Sequence, residues 1–145
     1  MIESSIFNVI TDNDEIRTIE NIYCISDPEN SNLIDNIIFK INDNYWIISV
    51  NKEFDEIELF ITPNLNEDFI HRRNLDDLSY LNGLTVGTMS AIVNERGYTN
   101  GLKIMILDNT PSREGTNPFF CMLTIISATD LKFEITKTGI DRYLV

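Results

Sequence analysis

Short apolar runs separated by polar turns set the rhythm of this chain. Ile37-Ile38-Phe39-Lys40-Ile41 and Tyr45-Trp46-Ile47-Ile48-Ser49-Val50 flank Asn42-Asp43-Asn44, a polar trio suited to turn conformations. They predict a hairpin. Ile57-Glu58-Leu59-Phe60-Ile61-Thr62 follows after Asn51 to Glu56 and extends the pair into a meander. Isoleucine is the commonest residue, and with Val, Phe, Tyr and Thr it favours half-buried sheet over helix.

The second half follows the same plan. Leu102 to Leu107, Phe119 to Ile126 and Leu131 to Thr136 are three apolar runs in matching order, and Ile57–Thr62 and Leu131–Thr136 share the ending Ile-Thr. In each half a further strand comes earlier, around 19–25 and around 86–93, followed by Asp27-Pro28-Glu29-Asn30 or Asn94-Glu95-Arg96-Gly97. The predicted fold is mainly β, a β-rich α+β arrangement of antiparallel meanders in one domain spanning 1–145. Two similar four-stranded units, 16–62 and 86–136, would share a core. The repeat rests on order and spacing, which any β-rich chain can imitate.

Between the units, Leu75, Leu78 and Leu81 recur every three positions and predict a short amphipathic linker helix ending near Asn82-Gly83. The segment from Ile2 to Ile10 fits a strand or a short helix equally well. The longer loop of the second unit is Asn109 to Pro118. No low-complexity tract suggests a disordered tail.

Candidate chemistry is sparse. His71 is the single histidine and stands beside Arg72 and Arg73 in the linker, so it reads as a solvated side chain, with the arginines pairing to Glu67, Asp68, Asp76 or Asp77. Cys24 and Cys121 each sit inside an apolar run and are expected to be buried thiols rather than a disulfide or metal pair. Asp12-Asn13-Asp14-Glu15 lacks the glycine and terminal glutamate of a calcium loop, and Asn82 to Gly87 lacks a phosphate-cradling lysine. Gly83, Gly97 and Gly101 are expected in turns at positive φ, and Trp46 in the core. No cofactor, metal site or catalytic constellation is expected; a hydrolase using two unidentified carboxylates is the residual enzymatic reading.

Charge is what distinguishes the chain. Residues 1–80 hold 17 Asp and Glu against five Lys and Arg, and the remainder balances, so the whole formal charge of −12 belongs to the first part. That sign disfavours direct binding to nucleic acid and to anionic membranes. With no basic leader and no apolar run near the length of a membrane span, a cytoplasmic protein is expected. The acidic residues Asp27, Glu29, Asp35, Asp43, Glu53, Asp55 and Glu56 fall largely in predicted turns, which gather at the two ends of a meander, while Glu58 lies within a predicted strand. Asp27, Glu29, Asp43, Glu53, Asp55, Glu56 and Glu58 are the candidate partner-binding residues, the partner being basic.

In its general character, small, acidic, β-rich and free of catalytic motifs, the chain resembles the immunity proteins of bacterial contact-dependent growth inhibition. The resemblance implies a non-enzymatic inhibitor that binds a basic toxin, a nuclease in particular, with carboxylates standing in for nucleic-acid phosphates. It carries no diagnostic motif and assigns no residue. The alternative is a structural or assembly module of a phage or mobile element that associates through strand edges. Oligomeric state is not legible in the residues.

Overall fold

The computed structural model describes residues 16–108, 119–128 and 130–137. The segment Ile2–Ile10, the cluster Asp12–Glu15 and the loop Asn109–Pro118 lie outside the described residues. Among the described residues there are nine strands: β1 (Arg17–Asp27), β2 (Asn30–Ile41), β3 (Asn44–Asn51), β4 (Glu56–Thr62), β5 (Arg73–Asn74), β6 (Thr85–Val93), β7 (Thr99–Leu107), β8 (Phe119–Ala128) and β9 (Asp130–Thr136). Two 3-10 helices, η1 (Glu67–Phe69) and η2 (Asp76–Leu81), interrupt the linker. The fold is mainly β, and each of the eight apolar runs forms a strand.

Every strand pairing is antiparallel, in the order β4-β3-β2-β9-β8-β7-β6-β1-β5, with β1 also paired to β2. That extra pairing closes β1, β2, β9, β8, β7 and β6 into a six-stranded barrel, and β3 and β4 leave it from β2. A bulge lets β2 serve both assemblies. Ile25 faces Asn36 and Ser26 faces Ile34, so Asp35 is an additional residue on β2. On one side of this irregularity β2 pairs with β3 from Asn36 to Ile41; on the other it meets β9 through Ile34 and Leu131. A bulge bends and twists its strand, which suits a strand that must change neighbours there.

The expected short amphipathic linker helix is present as the 3-10 helix η2. Leu75, Leu78 and Leu81 are all buried, and they belong to a 3-10 turn whose three residues per turn match their spacing. Its two ends are tied to β1, Leu75 N–H donating to Ile22 C=O at 3.0 Å and Gly83 N–H to Ile19 C=O at 2.7 Å. Those acceptors are only about 10 Å apart along a strand. The residues between them cannot run extended beside β1, and the slack coils into η2. Leu78 and Leu81 thereby join the core. The short strand β5, ahead of this turn, was not anticipated.

Alternation sorts the remaining side chains. Ile22, Cys24, Ile37, Phe39, Trp46, Ile48, Ile57 and Leu59 face inward and meet Leu102, Ile104, Leu123 and Ile125 from the second meander. On the opposite face Tyr23, Ile38, Ile47 and Phe60 are successive cross-strand partners across β1 to β4. Ile38 and Ile47 are buried although they point away from the barrel, whereas Phe60 at the end of the row is 54% exposed. The linker leaving β4 crosses this face on its way to β1, and Arg72 lies over the Tyr23 ring at 5.1 Å.

Gly83 and Gly97 take positive φ as expected, at 89° and 87°. Gly101 does not. It lies within β7, where an added Cβ would stand 2.8 Å from Ile92 Cδ1 and 3.1 Å from the Ile125 carbonyl oxygen. Close packing, rather than a turn, explains the glycine.

Candidate functional site

Hairpin parity decides which turns meet. The β1–β2 turn and the β3–β4 turn close at one end of the first meander, and Asn42-Asp43 closes β2 to β3 at the other. At the first end the β3–β4 turn, residues 52–55, is the hub. Lys52 Nζ lies 3.2 Å from Asp35 Oδ1 and 3.8 Å from Asp27 Oδ2. Phe54 packs on Tyr98 with ring centroids 6.0 Å apart, and the Ser127 hydroxyl donates to the Asp55 carbonyl at 2.7 Å. Thr99 N–H donates to Glu56 Oε2 at 3.1 Å. The turns of both meanders are thus stitched into one surface.

Local sequence explains why this turn stands where it does. Asn51 Oδ1 accepts from Glu53 N–H at 3.1 Å, and its side-chain amide donates to Glu58 Oε1 at 3.1 Å, so one asparagine sets the turn's start and tethers β4. Asp55 takes φ of 53°, a left-handed conformation that aspartate tolerates better than branched residues do. The β1–β2 turn has a similar device, Asp27 Oδ1 accepting from Glu29 N–H at 2.8 Å.

The predicted residues therefore divide. Asp27, Glu29, Glu53, Asp55 and Glu56 come together at the hub end; Glu58 stands one step along β4; Asp43 stands at the opposite end. Glu29, Asp43, Glu53 and Asp55 are exposed, while Glu56 and Glu58 are half-buried and hold Thr99 and Asn51. Asp35 lies in the β2 bulge rather than in a turn. Lys52 is held between two of the carboxylates, and its close contact with Asp35 is the first cause that raises its pKa, followed by the charges of Asp27 and Asp130. From the second meander Tyr98, Thr99 and Ser127 contact this turn and Asp130 acts on Lys52 through its charge.

Sequence reasoning missed the aromatic component. Phe54 is 48% exposed between Glu53 and Asp55, an arrangement already visible as an aromatic residue inside a polar turn. The expected pairing of Arg72 and Arg73 with linker acids is replaced by other contacts. Arg72 donates to the Phe69 carbonyl and covers Tyr23, and Arg73 donates to the Ser26 hydroxyl at 3.0 Å. Tyr45, Pro63, Asn64, Leu65, Ile70 and Arg72 line an open depression of about 380 Å³ at the end away from the hub. His71 is exposed beside it.

Cys24 and Cys121 are free thiols buried in the core, and burial is the main cause that raises both pKa values. They are poor nucleophiles in this setting. Among the described residues no three His, Cys, Asp or Glu side chains converge as metal ligands would. No helix among them is long and apolar enough to cross a membrane.

The profile of a family of unknown function, DUF6334, matches residues 1–129. The chain belongs to DUF6334. The stretch that matches this family covers β1 to β8 and the whole hub turn, and ends just before β9. No curated protein and no solved structure matches this DUF6334 chain.

Proposed function

We propose that this protein is a non-enzymatic binding protein that captures and neutralises a basic protein in the cytoplasm, in the manner of an immunity protein occluding a toxin nuclease. The observation that carries the reading is the hub end: turns from both meanders meet there, five of the predicted carboxylate residues come together there, and its nearby lysine, Lys52, is already engaged by Asp27 and Asp35. Carboxylates fixed on tight turns attract a cationic surface without a large ordering cost on binding, and Phe54 adds an exposed aromatic anchor among them. Such electrostatics chiefly raise the association rate and choose the partner.

The test is protection. The reading frames neighbouring the gene are expressed one at a time, with and without this protein, in a host lacking both. A basic product that arrests growth alone but not in its company, and that co-purifies with it, supports the reading. Growth arrest by such a product that persists at high expression of this protein contradicts it. A structural module assembling through strand edges is the second reading, favoured by the open edge of β4. Salt separates the two, because raising ionic strength loosens an electrostatic complex and screens the repulsion that opposes assembly of like-charged chains.

A further inference from the structure

Strand β4 ends the sheet order, so among the described residues one of its edges carries no strand. Glu56 and Glu58 guard it against a like-charged edge but not against a cationic one. Phe60 is 54% and Ile61 44% exposed, and as neighbours on a strand they present apolar surface on both faces of the edge. β5 at the other end of the order is only two residues long and begins with Arg73. β6 pairs with β1 only at Thr85 and Val86, but Thr88 and Ser90, two exposed residues on its open stretch, are small and polar, and the second half of the chain is neutral. Nothing there selects an occupant.

Around β4 the selection is clear. Glu53, Asp55, Glu56 and Glu58 lie within or just before the strand, and Lys52, the cation of that turn, is engaged elsewhere. A second copy is a poor occupant. Two β4 strands paired antiparallel about their centre would bring two Glu58 carboxylates into the same short ladder and two chains of charge −12 together. A cationic segment gains where a second copy loses.

We propose that the exposed end of β4 accepts an added strand from the basic partner, a segment with an apolar side chain beside Ile61 and with Arg or Lys beside Glu58. The inference rests on the reading of a cationic partner and adds the mode of contact. Backbone pairing along the end of β4 that carries Phe60 and Ile61 supplies affinity, alternate side chains supply register, and the hub carboxylates draw the segment in. Phe60 packs against the outward side chains of the added strand and is the residue on which that face closes.

The probe is a capped octapeptide of alternating Arg and Val, compared with the same peptide N-methylated at every residue and with an alternating Glu and Val peptide, each titrated into the full chain. Strand addition predicts binding of the Arg-Val peptide, slowed amide exchange along β4, and loss of both with the fully N-methylated peptide, which keeps its charge but lacks the backbone donors of both edges. Phe60→Ser should weaken binding by about tenfold while Val93→Ser leaves it unchanged. Equal binding of the N-methylated peptide overturns strand addition and leaves the cationic partner standing. Failure of both Arg peptides to bind at low salt overturns the cationic partner as well. Reversible dimerisation of the chain through β4 would make a second copy the occupant and overturn the proposal.

Discussion

Leu78→Ala tests whether η2 is part of the barrel core or a surface turn. Leu78 has no exposed surface, and its helix is fixed to β1 by backbone hydrogen bonds of Leu75 and Gly83 at either end. Truncating a fully buried leucine removes its transfer free energy and leaves a cavity, at a cost of about 2–5 kcal/mol depending on how far the surroundings collapse. A short turn held at its two ends can settle inward more easily than a barrel strand can. We therefore expect about 3 kcal/mol, toward the middle of that range. In urea, with a slope of about 2 kcal/mol/M, the midpoint should fall by about 1.5 M at unchanged slope. Asp77→Ala, on the exposed side of the same turn, should move it little. A loss below about 1 kcal/mol for Leu78→Ala would place η2 outside the core and refute the argument from its ties to β1.

Other expectations come from the packing and the thiols. Gly101→Ala should cost about 1–3 kcal/mol by overpacking, and adding Ile92→Val should restore only part of it, because the Ile125 carbonyl remains 3.1 Å from the new Cβ; full restoration in a melt would show the carbonyl contact to be harmless. Cys24 and Cys121 should resist iodoacetamide in the folded chain at pH 8 and react on addition of urea, rapid native alkylation being the contrary result. Because burial raises both thiols above their ordinary 9.0, the unfolded chain releases protons that the fold retains; stability is full below pH 9 and falls as pH rises through the folded values, and alkaline melts of a Cys24→Ala, Cys121→Ala double variant should show a smaller fall.

Eight strands were legible because each is a short apolar run with turn residues at both ends, whereas the polar pair Arg73-Asn74 of β5 was not; hairpin parity alone separates Asp43 from Glu53 and Asp55. Barrel closure was not legible. It depends on the bulge at Asp35 and on the meeting of Ile34 with Leu131, distant positions joined by no local signal. The linker leucines announced their period but not their helix type, since three-residue spacing over one short turn suits either. The charge of the first half was visible, whereas the engagement of Lys52 by Asp27 and Asp35 arises only when β2 bends beside the β3–β4 turn. Phe60 reads as one more core residue in sequence; its exposure follows from β4 being last in the sheet.

The most direct test of the central claim is a ¹⁵N NMR titration of the full chain with a short Arg-rich peptide at low ionic strength, repeated at high salt. The account predicts shifts concentrated at residues 27–30, 52–58 and 94–99, fading as salt rises. Shifts centred on Asp43 and the linker acids, or spread evenly over the surface, would contradict it.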